Sequence, residues 1–164
     1  MTAARFATDS SLDLLARRLR LLGYDVASFR GARLDELFDA AAREQRIVLT
    51  ASRRHPRRFA AVPRLGVPRE DVAAAVRAVA TRHEPAGAPF SRCTLDNAPL
   101  QRRHVMEARG EVPGRVLRAQ RALGHCPLCG KWYWDGTHVV RMRAWLEAAL
   151  GRPLPAPEPG DSVA

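Results

Sequence analysis

The stretch ARFATDSSLDLLARRLRLLGYDVASF, residues 4–29, decides the fold. Its first segment, Ala4–Asp9, is short and apolar and ends in an acid, which is typical of a strand that carries a carboxylate to a sheet edge. From Leu12 to Leu22 the apolar residues recur on one helical stripe, the arginines fall away from it, and Gly23 can end the helix. Tyr24–Phe29 then has the pattern of a second short strand. The stretch therefore predicts a strand–helix–strand unit.

The same alternation continues through the first half of the chain. LDELFDAAARE, Leu34–Glu44, has helical register, and IVLTA, Ile47–Ala51, is a compact β-branched run typical of a buried strand. Ala60–Leu65 predicts an edge strand, since a proline such as Pro63 is confined to the edges of sheets. An apolar stripe behind Pro68 predicts a further helix. Alternating helices and strands predict an α/β domain with a parallel sheet.

A segment that holds prolines and a glycine, Glu84–Phe90, marks the boundary of this domain. We expect the α/β domain at residues 1–84, a cysteine-bearing module with a terminal helix at 85–150, and a disordered proline-rich tail at 151–164. No apolar run approaches the roughly 20 residues of a membrane span. We therefore expect a soluble, cytoplasmic protein with no membrane partner.

The net charge is +10, and Lys131 is the single lysine among 27 basic residues. Between Gln45 and Arg69 the chain has seven arginines and no acid. Guanidinium groups match phosphate oxygens, so the run favours a nucleic-acid partner over a merely solvated basic surface. The predicted nucleic-acid-contacting residues are Arg17, Arg20, Arg53, Arg54, Arg57, Arg58, His138 and Arg141.

The three cysteines have the spacing of a metal site. Cys126 and Cys129 form an intact CxxC knuckle, and Gly130 permits the tight turn behind it. Cys93, about thirty residues earlier, is followed three positions on by Asp96. Two knuckles at this separation are typical of a zinc ribbon, with the first one changed from CxxC to CxxD.

Four stretches of the chain resemble the Mut-seven C-terminal ribonuclease domain family: ARFATDSSLDLLARRLRLLGYDV, LDELFDAAAREQRIVLT, FSRCTLDNAPL and HCPLCGKWYWDGTHVVRM. The likeness runs from about Arg5 to about Leu150. It implies a PIN-like parallel sheet with flanking helices, followed by a small C-terminal zinc-ribbon-like module. The activity it implies is that of a metal-dependent endoribonuclease, which hydrolyses RNA phosphodiester bonds.

The resemblance also implies the site residues of that nuclease. PIN-like enzymes gather acids at strand ends to hold Mg²⁺ or Mn²⁺, and the matching acids are Asp9 and Asp35. Asp71, beside Glu70, lies in a region where the family is weakly acidic. Ser52 stands where the family has the aspartate of an LTRD pattern, and its hydroxyl offers one neutral oxygen in place of a carboxylate. Helix capping is an alternative role for Asp35 and Asp71.

For the ribbon, the resemblance implies a zinc ion held by Cys93, Asp96, Cys126 and Cys129, with Asp96 at the position of the family's second cysteine. Aspartate is an accepted zinc ligand. Three histidines are alternatives for the fourth position, namely His104, His125 and His138. Asp96, followed by Asn97, also has the character of a turn residue.

Three functions stay open. The first is the endoribonuclease, and the second is a catalytically degenerate PIN-like protein that binds RNA or a protein partner without cleavage. The second is suggested because Ser52 and Asp96 each replace an expected ligand. The third is a small structural zinc module tethered to a helper domain, with a basic surface that serves ribosomal or tRNA partners. Trp132 and Trp134 either stack on nucleobases or pack the interior of the ribbon, and packing is the favoured role for at least one of them.

Overall fold

The computed structural model describes residues 3–31 and 33–156. A parallel four-stranded sheet has the order β2-β1-β3-β4, with β1 (Arg5–Asp9), β2 (Asp25–Phe29), β3 (Ile47–Thr50) and β4 (Arg64–Gly66). An antiparallel sheet has the order β5-β6-β7, with β5 (Gln101–His104), β6 (Ala122–His125) and β7 (Trp132–Tyr133). The α-helices are α1 (Asp13–Leu21), α2 (Leu34–Glu44), α3 (Val72–Ala80), α4 (Gly114–Ala119) and α5 (Thr137–Leu150). The predicted α/β class is confirmed.

Helices cover both faces of the parallel sheet. Phe6 of β1 is buried in a core shared with α1, α3 and α5, whereas its neighbour Ala7 is buried in a second core under α2. Leu49 and Val48 of β3 divide between the two cores in the same way. This division follows from the strand geometry, because successive side chains point to opposite faces.

The order of the parallel strands defines a crevice. The chain passes from β1 to β2 on one side and from β3 to β4 on the other, so the connections from the neighbouring strands β1 and β3 leave in opposite directions. In open parallel sheets, ligands bind beyond the carboxyl ends of strands at such a switch point. Asp9 ends β1, and Ser52 lies two residues beyond β3. Both residues therefore lie at the carboxyl edge, beside the switch point.

The terminal helix α5 packs on the α/β core. Leu146 is fully buried in the core shared with α1 and α3, and the guanidinium of Arg77 donates to the Ala149 carbonyl at 2.9 Å. Beyond α5 the chain folds back, and the Leu154 amide donates to Glu147 at 3.0 Å. Residues 151–156 thus contact α5, while 157–164 lie outside the described residues, so the disorder of the tail stays a prediction.

The antiparallel sheet has a small core of its own. Its buried residues are Val105, Ala108, Val112, Val116 and Leu123. Trp132 and Trp134 are half-buried against this cluster, so both tryptophans contribute to packing. In the described ranges, no helix combines the length and the apolar character needed to cross a bilayer.

Candidate functional site

Four side chains converge at the end of the ribbon: Cys93, Asp96, Cys126 and Cys129, with ligand atoms all within 4.8 Å of one another. The Sγ atoms of Cys93 and Cys129 are 3.8 Å apart. The Asp96 Oδ2 atom lies 3.5 Å from the Cys126 Sγ and 3.7 Å from the Cys93 Sγ. These four side chains could hold one metal ion. Among the described residues, they are the one group of three or more His, Cys, Asp or Glu side chains that converges in this way.

Local backbone geometry builds both knuckles. Asn97, with φ +66°, and Gly130, with φ +74°, each occupy the left-handed region at the turn behind a knuckle. The Asn97 amide donates to the Cys93 carbonyl at 3.0 Å, and the Gly130 amide donates to the Cys126 carbonyl at 2.9 Å. The two halves of the site therefore have the same turn, although one ends in an aspartate.

Neighbouring groups shift the ligands of this cluster in opposite directions. The pKa values of Cys93 and Asp96 are lowered, whereas burial and the Asp96 carboxylate raise the pKa of the Cys129 thiol to about 12. Burial raises the pKa of the Cys93 thiol, but the Tyr133 hydroxyl at 3.1 Å and nearby backbone amides outweigh it, so the pKa lies below its ordinary value. Hydrogen bonds from Cys129 and the other thiols lower the pKa of Asp96. A carboxylate and a thiolate are the forms in which these side chains bind a cation.

None of the three candidate histidines joins the cluster. His104 instead accepts from the Met106 amide and caps a short 3₁₀ helix. The His125 ring lies against Trp132 at a centroid distance of 4.5 Å. His138 is exposed in the first turn of α5. Asp96 is therefore the side chain that stands at the fourth position.

The predicted nuclease residues lie at the carboxyl edge of the parallel sheet. Asp9 accepts from the Ser11 amide at 2.8 Å and caps a 3₁₀ turn that leads into α1. The Ser52 hydroxyl accepts from the Arg54 amide at 3.1 Å. Asp35 lies in the first turn of α2, which follows β2. Asp71 caps α3, which follows β4, and it accepts from the Ala74 amide at 2.8 Å.

These acids each have a local partner. Asp35 forms an exposed ion pair with Arg58 at 3.7 Å. Asp71 has the capping geometry that was the alternative to a catalytic role. Within the described parts of the chain, Asp9, Asp35 and Asp71 are not members of a converging group of three ligands. Their role in metal binding stays a prediction.

Most of the predicted phosphate-contacting side chains reach solvent. Arg53, Arg54, Arg57 and Arg58 are exposed between β3 and β4, and His138 and Arg141 are exposed on α5. Arg17 is half-buried and donates to Asp13 at 3.0 Å.

Arg20 is a correction to the sequence analysis. Its side chain is 2% exposed, and its guanidinium donates to the Val26 carbonyl at 2.9 Å, the Thr94 carbonyl at 2.7 Å and the Ser28 hydroxyl at 2.7 Å. The loop that carries Cys93 covers the side of α1 on which Arg20 lies, so this side of the helix is not exposed to solvent. Arg20 therefore does not contact a phosphate.

The sequence profile of the Mut7-C RNAse domain matches residues 4–146, a range that includes both sheets. The chain belongs to the Mut7-C RNAse domain family. Searches of curated proteins and of solved structures found no match. Membership of the Mut7-C RNAse domain family indicates a ribonuclease-like function, with RNA as the substrate or partner.

One residue of this Mut7-C RNAse domain was missed by sequence reasoning. Asp25, at the start of β2, accepts from Arg46 at 2.6 Å and from the Asn97 side chain at 2.8 Å. The side-chain oxygen of Asn97 accepts a hydrogen bond from the Val26 amide at 2.9 Å, so the first knuckle is hydrogen-bonded to the parallel sheet. An acid at the start of an otherwise apolar strand was the available signal for this contact.

Proposed function

We propose that this chain is a metal-dependent endoribonuclease of the PIN-like class. The observation that carries the proposal is that Asp9 ends β1 beside the switch point of the parallel sheet. Asp35 approaches the same edge from α2, and the exposed arginines of residues 53–58 leave β3 there. Carboxylates beside a cationic segment match the needs of a reaction at an RNA phosphate.

The donor atoms at this edge fit a magnesium or manganese ion shared with the substrate. Mg²⁺ is usually held by one or two carboxylates together with phosphate oxygens and water. Asp9 and Asp35 would supply the carboxylates, Ser52 a neutral oxygen, and Asp71 further negative charge. When bound, such an ion activates water and offsets the charge on the reacting phosphate.

The chain's own residues would position the RNA. The ion pair between Asp35 and Arg58 is well exposed, at 40% and 66% of the two side chains, so its separation costs little. Asp35 would then face the cation, while Arg58 would contact the RNA backbone with Arg54 and Arg57. The hydrogen bond from the Ser11 amide holds the Asp9 carboxylate in place.

A second candidate function is RNA binding without cleavage. The observation that favours it is Ser52, whose hydroxyl accepts a backbone hydrogen bond from Arg54 and carries no charge. Binding through arginines needs no carboxylate cluster and no metal at the sheet edge.

For the ribbon, we propose that the bound ion is Zn²⁺ in a structural role. Tetrahedral zinc with Zn–S bonds of about 2.3 Å and Zn–O bonds of about 2.0–2.2 Å places sulfurs about 3.8 Å apart and sulfur about 3.5–3.7 Å from oxygen. The Cys93 and Cys129 sulfurs are 3.8 Å apart, the Asp96 oxygen lies 3.7 Å from the Cys93 sulfur and 3.5 Å from the Cys126 sulfur, and all four ligand atoms lie within 4.8 Å of one another. Four protein ligands leave no open position, which is typical of a structural site.

One experiment tests the nuclease and its alternative together. Labelled single-stranded and folded RNAs are incubated with Mn²⁺ or Mg²⁺ and the wild type, Asp9→Asn or Ser52→Asp, and cleavage is followed on gels. We expect Asp9→Asn to lower the rate at least about a hundredfold and Ser52→Asp to raise it at least about tenfold, since a carboxylate strengthens cation binding.

The matched control is Asp39→Asn, an exposed aspartate of α2 that pairs with Arg43 away from the carboxyl edge. Its cleavage rate should equal that of the wild type. Equal rates for Asp9→Asn and the control would exclude this edge as the active site. RNA binding without cleavage by the wild type and by Ser52→Asp would favour the second candidate.

A further inference from the structure

A groove of about 1010 Å³ runs between α1 and the ribbon. One wall is formed by side chains of α1, among them Leu14, Arg17 and Arg18. The opposite wall is formed by residues 131–134 and by Arg115 of α4. The groove borders both sites described above, since its lining residue Tyr133 contacts Cys93 at 3.1 Å. Its lining nevertheless contains none of the four ligands of the cysteine cluster and neither Asp9 nor Asp35, so these sites do not account for it.

The groove carries positive charge. Its lining includes five arginine or lysine side chains and one carboxylate, that of Asp135. Arg115 and Lys131 are exposed, and neither takes part in an ion pair among the described residues. The Nε atom of Arg18 is buried and has no hydrogen-bond partner among the described residues. An anionic occupant would compensate these charges.

The same groove has an aromatic and apolar wall. Trp132, Tyr133 and Trp134 line it, together with Leu14 and Met142. Aromatic side chains in a basic groove are the combination that binds single-stranded nucleic acid, because bases stack on the rings while cations follow the backbone. In a duplex the bases are already stacked on one another, so a duplex could not use this wall.

The direction of the groove connects the ribbon with the sheet edge. The helix α1 begins at Asp13, shortly after Asp9, and Leu14 lies in its first turn. From Leu14 to Leu21 the helix rises about 10 Å, at about 1.5 Å per residue. Both residues line the groove, so one end of it opens near the carboxyl edge.

We propose that this groove binds single-stranded RNA, with its phosphates along Arg115 and Lys131 and its bases against the aromatic wall. The strand would continue toward the carboxyl edge of the sheet. The proposal rests on the RNA-directed function and adds that the substrate is single-stranded.

The test is equilibrium binding of a labelled oligouridylate and of an RNA duplex of equal length, followed by fluorescence anisotropy. All proteins carry Asp9→Asn, and no Mg²⁺ or Mn²⁺ is added, so cleavage does not interfere. The groove variant is Arg115→Glu with Lys131→Glu. The control, Arg102→Glu with Arg118→Glu, makes the same charge change at two exposed arginines outside the groove.

We expect the groove variant to bind the single strand at least tenfold more weakly than the control. Its salt dependence, the slope of log K against log salt, should fall by about 1.4, because about 0.7 is lost per phosphate contact on a single strand. Quenching of tryptophan fluorescence by the oligouridylate should accompany binding to the unaltered groove.

Equal affinities of the groove variant and the control, or equal affinity of the wild-type groove for duplex and single strand, would overturn the proposal. If the wild-type groove bound polyglutamate but not the oligouridylate, the occupant would be an acidic polypeptide, and the proposal would also be overturned. Because binding is measured without cleavage, loss of nuclease activity in the earlier assay leaves this result unaffected.

Discussion

At the residue scale, the carboxylate of Asp25 shows how one side chain joins the ribbon to the sheet. Arg46 and Asp25 form an ion pair at 2.6 Å, and their side chains are 7% and 16% exposed. Burial raises the pKa of Asp25, but the hydrogen bonds from Arg46 and Asn97 outweigh it and hold the pKa below its ordinary value. The ionised carboxylate is therefore the form that the folded chain stabilises.

We expect Asp25→Asn to lower the free energy of unfolding at pH 7 by roughly 2–3 kcal/mol, since it leaves Arg46 without its strongest partner in a buried position. A folded-state pKa below the unfolded value of about 3.9 means that this stability is present above about pH 4 and is lost as the pH falls through the folded pKa. Urea unfolding between pH 7 and pH 2.5 should thus show a flatter acid limb for Asp25→Asn. The control Asp39→Asn, which removes an exposed ion pair, should change the free energy of unfolding by less than about 1 kcal/mol. If Asp25→Asn lost stability toward acid pH as steeply as the wild type, the lowered pKa of Asp25 would not be the cause of that loss.

At the element scale, the turn between α1 and β2 is packed against the connection to the ribbon. Gly23 has φ +91°, and a β-carbon there would meet the Gly87 carbonyl oxygen at 2.1 Å. The Gly87 amide donates to the Gly23 carbonyl at 3.1 Å, so two backbones lie in direct contact. Glycine is required at this position both by its backbone conformation and by the absence of space.

The pair Gly23→Ala and Gly31→Ala separates these two requirements. Gly31 also has positive φ, at +73°, but nothing lies within 4 Å of the position of a β-carbon. We expect Gly31→Ala to cost about 1–2 kcal/mol of unfolding free energy from the left-handed backbone alone. Gly23→Ala should cost at least about 2 kcal/mol more because of the backbone overlap. Denaturant unfolding measures both, and equal costs would show that the connection moves aside freely.

At the scale of the whole molecule, the cysteine cluster that could hold a metal lies where the loop after Cys93 joins the ribbon to the α/β part. The loop after Cys93 is held to the α/β part by Arg20, which donates to the Thr94 and Leu95 carbonyls, and by the contacts of Asn97 with Asp25 and Val26. A metal ion that orders this loop would therefore also stabilise the packing of the loop against α1.

Removal of the metal should lower the stability of both parts together. After treatment with a chelator we expect one unfolding transition at a lower temperature, because a site that forms only in the folded state contributes its binding free energy to folding. Asp96→Cys should retain zinc more tightly, because thiolates are strong zinc ligands, and Asp96→Ala should lose it. Metal content and melting temperature are measured on the same samples. Identical melting curves with and without metal would show that the ribbon does not stabilise the α/β core.

The sequence alone determined the alternation of strands and helices, the presence of an edge strand near Pro63 and the two knuckles. These features depend on side-chain periodicity and turn residues within a few positions of one another, so the local pattern contains them. The bounds of that edge strand were wrong, because it spans Arg64–Gly66 and not Ala60–Leu65. The family resemblance, read from motifs in their order along the chain, indicated the Mut7-C RNAse domain, and the family profile over residues 4–146 confirms it.

Only the tertiary structure decided which charged side chains meet solvent and which are buried. Arg20 has the helical position of a surface residue, yet its guanidinium binds the Thr94 carbonyl, 74 residues along the chain. In the same way, Leu146 joins the core of α1 and α3, although α5 follows the ribbon in sequence. Such contacts depend on how distant segments pack, and the periodicity of a single segment does not encode its distant neighbours. The groove between α1 and the ribbon arises from the same packing. The sequence indicated Arg17 and the two tryptophans as separate candidates for RNA contact, but only the packing of distant segments places them in one groove.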